Sequence, residues 1–198
     1  APDGGLRYRG RRHLDLPPPG LFGPHQYDNA GAALAALDCL PGFTVDEAAL
    51  ARGMAQVEWP ARLQNLTRGP LIETLPPGTE LWLDGAHNAG GGEALARVAA
   101  GWRDRPLGLV FGMLASHDAS AFLTPLAPAV TQLAAVAIPG ETNALSASAA
   151  AAAANALGIA AAPHPSIAEA VAAVGARGGR VLICGSLYLA GRVLKENG

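Results

Sequence analysis

From residue 80 onward, short apolar runs alternate with longer amphipathic stretches, and this rhythm limits the possible folds more than any other feature. The apolar runs are expected to be strands at residues 81–83, 107–111, 130–138, 159–162 and 181–184. The amphipathic stretches are expected to be helices at residues 92–102, 119–126, 146–157, 166–174 and 186–195. Strict alternation of this kind predicts an α/β fold, with a mostly parallel, Rossmann-like sheet and helices on both faces.

The start of the chain follows a different pattern, with irregular Pro- and Gly-rich sequence and then two helical stretches. The first helix is expected at residues 29–40. The second is expected to begin at Thr44, because Thr44 and Glu47 have the spacing of a capping box. Two helices with little strand do not close a sheet, so we predict that residues 1–58 are the end of a larger domain and residues 59–198 form a separate one.

Composition argues against several classes of protein. The formal net charge is -2 and the pI is about 6.2, so the chain lacks the basic excess that a nucleic-acid partner requires. No uncharged apolar run reaches the roughly 18 residues of a membrane span, so no membrane partner is expected. The two cysteines, Cys39 and Cys184, have neither zinc-site nor disulfide-framework spacing, which predicts no metal ligand here and a reducing, cytoplasmic location.

The first motif with chemical content is GPHQYDNA at residues 23–30, where the first helix is expected to begin. An Asn at a helix start is usually a cap, and His25 commonly bonds a neighbouring carbonyl. The amide of Asn29 both donates and accepts hydrogen bonds, so it is equally suited to reading an adenine edge. These residues alone leave both interpretations open.

The second motif, WPARLQ at residues 59–64, lies between the two predicted units. A linker arginine is commonly just solvated. The planar guanidinium of Arg62 is also well suited to binding a phosphate in a cleft.

The third motif, LWLDGAHNAGGGE at residues 81–93, runs from a strand into a helix. An acidic residue in the position of Asp84 often meets a ribose in α/β proteins, although a structural turn is the alternative. The glycines lack the G-x-G-x-x-G spacing of dinucleotide sites. We expect Asp84 to be exposed and to affect nucleotide binding, not stability. His87 is suited to capping or support as much as to substrate contact, and His117 is the other histidine at a predicted strand–helix junction.

The fourth motif, GGRVLICGSLYLAG at residues 178–191, is the last strand turning into the last helix. Ser186 is expected to be an N-cap, and its surroundings differ from the G-x-S-x-G of hydrolases. Asp84, Gly112 and Gly185 each follow a predicted strand, so we expect them along the carboxyl edge of the sheet, where ligands bind.

Together the four motifs resemble those of the Mur ligase superfamily, specifically its folylpolyglutamate synthase/dihydrofolate synthase branch. The usual strings of that branch are similar to G-x-H-Q-x-x-N-A, W-P-G-R-L-E, D-G-A-H-N-P-x-G and C-G-S-L-Y-L-A-G. All four occur here in the same order, between residues 21 and 191. The departures are small: Ala61 stands for Gly, Gln64 for Glu and Ala89 for Pro.

The resemblance implies an ATP-dependent ligase of folate biosynthesis, which adds L-glutamate to dihydropteroate or to folate polyglutamates through an acyl phosphate. By the same resemblance, Asn29 would contact the adenine of ATP and Asp84 its ribose. Arg62 would bind the terminal phosphates and act in catalysis. His87 would be catalytic and lie near the incoming glutamate, with Ser186 also near that substrate.

The phosphate-binding loop of the superfamily resembles G-x-x-G-K-[ST], whereas the only lysine here is Lys195, in the last predicted helix. We therefore expect that loop, the Mg2+ ligands and most of the pteridine site to precede residue 1. The chain is then expected to be a fragment that is inactive alone, from a monomeric enzyme with small-molecule partners.

Two alternatives remain. One is another Mur-type ligase, which adds amino acids to peptidoglycan precursors; the CGSLY string at residues 184–188 favours the folate branch. The other is a non-catalytic, Rossmann-like nucleotide-binding module, against which Arg62 and Asp84 in matching motifs argue.

Overall fold

The computed structural model describes residues 4–198. The chain divides into two compact units, Ala1–Arg62 and Leu63–Gly198. The division lies four residues later than the boundary expected from the sequence, after Arg62 instead of after Glu58. Within the described range, every helix is too short or too polar to span a bilayer.

The first unit consists of a β-hairpin and two helices. Strands β1 (Leu6–Arg9) and β2 (His13–Leu16) pair antiparallel, and helices α1 (His25–Cys39) and α2 (Glu47–Gln56) follow. Alternate hairpin residues and one face of each helix supply its small apolar core, whose buried members are Leu6, Leu14, Leu16, Ala30, Leu34 and Leu50.

Both helices of this unit begin differently from the sequence prediction. Helix α1 starts at His25, directly after Pro24, whose fixed φ already suits a helix start. Asn29 therefore lies inside α1, and its interpretation as the cap is wrong. The cap of α2 is Asp46, whose carboxylate accepts a hydrogen bond from the N–H of Ala49 at 2.7 Å. The prediction of a capping box that begins at Thr44 is thus also wrong. Asp46 is favourable at this position because its negative charge is stabilised by the helix dipole as well as by the hydrogen bond.

The second unit is a six-stranded sheet with helices, in the order β3-β4-β8-β5-β6-β7. The strands are β3 (Gln64–Asn65), β4 (Glu80–Leu83), β5 (Leu107–Phe111), β6 (Gln132–Val136), β7 (Ala161–His164) and β8 (Arg180–Cys184). The helices are α3 (Pro70–Glu73), α4 (Ala89–Ala99), α5 (Ala119–Leu123), α6 (Ala147–Ala156), α7 (Ile167–Gly175) and α8 (Leu187–Asn197). All pairs are parallel except the short edge pair of β3 with β4. The predicted mostly parallel α/β fold is confirmed.

Helices pack in two groups because central strands bury side chains on both faces. Leu107, Leu109 and Phe111 of β5 share one apolar core with α4, α5 and α6. The intervening Gly108 lies on the opposite face, where an added Cβ would be 2.8 Å from Cβ of Val174 in α7. This two-sided burial explains why β5 is apolar at nearly every position instead of alternating.

An ionic cluster holds the amino ends of the central strands. Arg180, at the start of β8, bonds Glu80 of β4 at 2.7 Å and Asp104 at 2.6 Å. Its guanidinium also lies 5.3 Å from the ring centre of Trp102. Arg180 is only 9% exposed, so the carboxylates compensate the charge that the fold buries.

Candidate functional site

The candidate site of the second unit is the carboxyl edge of its sheet. Strands β4, β8 and β5 are parallel neighbours, so Asp84, Gly185 and Gly112, which follow them, lie along the same edge as expected. Main-chain hydrogen bonds continue past the strands: Gly185 N–H donates to the carbonyl of Ala86 at 3.0 Å. The loops here are therefore fixed to the sheet.

Asp84 is a buried anchor, which corrects the expectation of an exposed loop carboxylate. Asp84 is only 4% exposed. Oδ2 accepts a hydrogen bond from Leu63 N–H at 2.8 Å, and Oδ1 accepts one from Ala86 N–H at 2.7 Å. The carboxylate thus joins its own loop to the start of the unit, because main-chain donors surround it after the strand ends.

The neighbouring thiol of Cys184 is inert. Burial raises the pKa of Cys184 far above its usual range, and the negative charge of Asp84 adds to the increase. Since only a thiolate is an effective nucleophile, Cys184 contributes packing and not chemistry.

His87 is held in one orientation by its own loop. Its Nδ1 lies 2.9 Å from the carbonyl oxygen of Gly85. A carbonyl only accepts hydrogen bonds, so Nδ1 carries the proton, and Nε2 of the neutral ring is an acceptor. The ring of His117, in the loop after β5, lies 5.2 Å away, centre to centre. The sequence placed both histidines at strand–helix junctions but gave no reason to pair them.

The glycines after His87 allow close packing of α4. Asn88 is the N-cap of this helix and accepts a hydrogen bond from Gly91 N–H at 2.9 Å. The capping role considered for His87 therefore belongs to Asn88, and α4 begins at Ala89, three residues earlier than expected. An added Cβ on Gly92 would collide with the carbonyl oxygen of Phe122, which explains the need for glycine.

Ser186 caps α8, as the sequence predicted. Its hydroxyl accepts a hydrogen bond from Tyr188 N–H at 3.1 Å, and the residue is 2% exposed. The preceding Gly185 has φ +109°, and an added Cβ there would lie 2.7 Å from the Gly112 carbonyl oxygen. The turn brings the start of α8 onto the same edge as Asp84 and His87.

Arg62 is flanked by two residues with left-handed backbone conformations. Ala61 has φ 56° and Leu63 has φ 44°, which are unfavourable for residues with a Cβ. Ala61 occupies the position of the usual glycine in the resembled motif. Strain at both neighbours of one arginine is typical of a segment whose geometry is imposed by its surroundings.

Asn29, in the first unit, belongs to a short polar network. Its Nδ2 donates to Oε1 of Gln26 at 3.0 Å, and Nε2 of Gln26 lies 2.9 Å from Nε2 of His25. Gln26 and Asn29 also line a cavity of about 470 Å³, whose other lining residues are apolar or glycine. The role of Gln26 was missed, since a helical Gln in a sequence carries no sign of burial.

No group of three or more His, Cys, Asp or Glu side chains within residues 4–198 is arranged to hold a metal ion. The residues at the carboxyl edge are instead two imidazoles, a buried carboxylate and helix starts.

Comparison with known proteins agrees with the motif resemblance. The family described as "Mur ligase, glutamate ligase domain" matches residues 68–187. A probable bifunctional folylpolyglutamate synthase/dihydropteroate synthase of Halobacterium salinarum is 31% identical over 171 residues, which are 85% of this chain and 20% of that protein.

Solved structures give the same result. E. coli FolC in complex with DHPP and ADP has a TM-score of 0.75 at 27% identity, over 92% of this chain and 41% of FolC. Mycobacterium tuberculosis folylpolyglutamate synthase, complexed with ADP and AMPPCP, has a TM-score of 0.77 at 26% identity, over 93% of this chain and 42% of the synthase. This chain thus spans about a fifth to two fifths of the length of these relatives. Since the family match covers more than half of its 198 residues, the chain belongs to the Mur ligase family and carries its glutamate ligase domain.

Proposed function

We propose that this chain is part of an ATP-dependent ligase that adds L-glutamate to dihydropteroate or to folate polyglutamates. The observation that carries the proposal is the match of residues 68–187 to a glutamate ligase domain, whose carboxyl edge holds Asp84, His87 and Ser186. The names of the relatives support the substrate class, and the ADP and AMPPCP in the structures of the relatives support ATP as the nucleotide.

The proposed reaction has two steps. The carboxylate of the pteroate or folate attacks the terminal phosphorus of ATP, which forms an acyl phosphate and releases ADP. The amino group of glutamate then attacks the acyl carbon, inorganic phosphate leaves, and an amide forms with loss of one amine proton. In such reactions the protein contributes mainly positioning and neutralisation of charge.

His87 is proposed to receive the glutamate amine. Because Nδ1–H is bonded to the Gly85 carbonyl, Nε2 is the nitrogen left to accept a hydrogen bond from the attacking amine. Ser186 is proposed to act through its position, since its hydroxyl caps α8 and orients the start of that helix toward the same edge.

Three residues are proposed to bind the nucleotide. Asn29 would contact adenine through its amide, and Arg62 would neutralise charge on the terminal phosphates as the phosphoryl group moves. Asp84 would meet the ribose.

Mg2+, which commonly accompanies ATP, is not assigned to residues of this chain. The described residues form no cluster of three or more potential ligands for the ion. We further propose that residues outside this segment hold Mg2+, that the enzyme is cytoplasmic and monomeric, and that this segment alone is inactive.

The test is glutamate ligation by the complete gene product. Purified enzyme is incubated with ATP, labelled L-glutamate and either dihydropteroate or a reduced folate, and labelled pteroylglutamate and ADP are measured. We expect stoichiometric formation of both with at least one acceptor. Ligation only to a UDP-linked peptidoglycan precursor would favour the peptidoglycan branch, and nucleotide binding without any ligation would favour a non-catalytic module.

A further inference from the structure

Gln26 is a buried polar side chain whose amide nitrogen and amide oxygen both have a hydrogen-bonding partner. The residue is 3% exposed. Its amide nitrogen lies 2.9 Å from Nε2 of His25, and its amide oxygen accepts a hydrogen bond from Nδ2 of Asn29 at 3.0 Å. Burial of an amide is costly unless both its donor and its acceptor are used. Both are used here when His25 carries its ring proton on Nδ1, because Nε2 of the ring then accepts from the Gln26 amide.

The orientation of Gln26 determines the orientation of Asn29. With Oε1 of Gln26 facing it, Asn29 directs Nδ2 inward to this oxygen. Rotation of the Asn29 amide by half a turn would put its own oxygen against Oε1, and two acceptors would then face each other. The amide of Asn29 therefore keeps its oxygen and its second N–H for another partner.

We propose that Gln26 is a positioning residue, which fixes the Asn29 amide so that the nucleotide site prefers adenine over a 6-oxopurine. The proposal rests on the proposed function, in which Asn29 contacts the base. Adenine presents a donor at N6 beside an acceptor at N7, and an amide oxygen and N–H complement these two groups. Hypoxanthine presents a carbonyl oxygen at position 6, which would face the oxygen of Asn29.

The surroundings suit a small organic molecule with few polar groups as the partner. The cavity wall that contains Gln26 and Asn29 is otherwise lined by apolar residues and glycine, including Leu21, Leu37 and Met54. Apolar walls with a few fixed polar groups are typical of sites for small organic molecules. Discrimination between bases by hydrogen bonding in this cavity therefore depends on the amides of Gln26 and Asn29, so Gln26 can affect which base is preferred.

The experiment compares ATP with ITP, which differ at position 6 of the base. Dissociation constants for both are measured on the complete gene product by calorimetry, together with their KM values in ligation. We expect wild-type enzyme to prefer ATP by roughly tenfold to a hundredfold. Gln26→Met removes both hydrogen bonds at similar side-chain volume. It should lower the preference for ATP at least about fivefold, mainly by weakening the binding of ATP.

Two further variants separate positioning from stability. Gln132→Met is the matched control, because the Gln132 amide donates to the carbonyl of Val174 at 2.8 Å in the other unit; it should lower the melting temperature without changing the ATP to ITP ratio. Gln26→Glu retains an oxygen that accepts from Asn29, and should keep the preference for ATP.

Each outcome decides. An unchanged ratio in folded Gln26→Met, or proportional loss of both nucleotides, overturns the positioning role. If Gln26→Met does not fold, Gln26→Glu decides: a retained preference supports the proposal, and a lost preference in folded protein overturns it. Wild-type enzyme that binds ATP and ITP equally also overturns it, whereas wild-type enzyme that binds neither contradicts the proposed function itself.

Discussion

The carboxylate of Asp84 accepts a hydrogen bond from the N–H of Leu63, 21 residues earlier, at 2.8 Å. Leu63 has a left-handed backbone, with φ 44°, and is 2% exposed. The bond therefore holds an unfavourable conformation directly after Arg62. Asp84 shapes this segment whatever it does for a nucleotide.

Asp84→Ala is expected to destabilise the protein. It removes two buried acceptors, leaves the N–H groups of Leu63 and Ala86 unpaired and releases the left-handed segment, so the free energy of unfolding should fall by about 2–5 kcal/mol. Denaturant unfolding measures this. Asp118→Ala is the control, because Asp118 is an exposed cap of α5 and should cost about 0.5–2 kcal/mol. Equal small losses in both variants would contradict the anchoring role.

Gly185→Ala should be much more costly than Gly158→Ala. Both glycines have positive φ, so each substitution pays roughly 1–2 kcal/mol for a left-handed Ala. Only at Gly185 would the new Cβ also meet atoms, at 2.7 Å from the Gly112 carbonyl oxygen and from the ring of Phe111. The free energies of unfolding of the two variants, measured by thermal unfolding, should differ by at least about 1–2 kcal/mol. Similar melting temperatures would show that the β8–α8 turn relaxes freely.

Acid should destabilise the wild type through the Arg180 cluster. Hydrogen bonds from Arg180 hold the pKa values of Glu80 and Asp104 below their usual range. Lowered carboxyl pKa values give stability that is present above the unfolded-state values and is lost as pH falls through the folded-state values. The wild-type melting temperature should therefore decrease as the pH is lowered below about 5. In Arg180→Met this drop should be shallower, and the melting temperature at pH 7 lower.

The control for this pH series is Arg52→Met, since Arg52 is exposed on α2. It should reproduce the acid dependence of the wild type. A wild-type slope retained by Arg180→Met would mean that other carboxylates cause the acid loss.

Two substitutions of His87 test the assignment of its nitrogens. Asn at this position can place an amide N–H near Nδ1 and so keep the bond to Gly85, but it has nothing in the place of Nε2. If Nε2 receives the amine, His87→Asn and His87→Ala should both lower kcat about 10²- to 10⁴-fold, with nearly unchanged stability. Steady-state ligation at saturating ATP measures this. High activity in His87→Asn alone would assign the histidine a role in loop structure.

Arg62→Ala is expected to depress turnover more than nucleotide affinity. The guanidinium charge matters most while the terminal phosphate moves, so kcat should fall about 10²- to 10³-fold with a smaller change in the dissociation constant of ATP. Arg62→Lys should recover only part of the activity, because an ammonium lacks the planar fork. Loss of ATP binding with unchanged kcat would contradict a transition-state role.

Local signals in the sequence were enough for the architecture of the second unit. Apolar runs separated by helical stretches indicate a parallel sheet. A strand that is apolar throughout buries both of its faces, and a helical connection brings the chain back to the end of the sheet where the previous strand began. Ser146, Ser166 and Ser186 were recognisable as helix starts, and the structure has each of them as an N-cap. Capping depends on residues at most three apart, so a serine directly before an amphipathic stretch is a local signal, although the same kind of signal was misplaced at Asn29 and Thr44 in the first unit.

Tertiary structure alone decided the environment of the site residues. The burial of Asp84 depends on Leu63, the contact of His87 depends on His117, and each pair joins segments distant in the chain. Gln26 is close to Asn29 in sequence, yet its importance comes from burial, which only the packed unit creates. Local sequence specifies which groups are available and which edge of the sheet they reach. Whether a group is solvated, anchored or paired depends on desolvation by distant residues, and that is settled only when the chain packs.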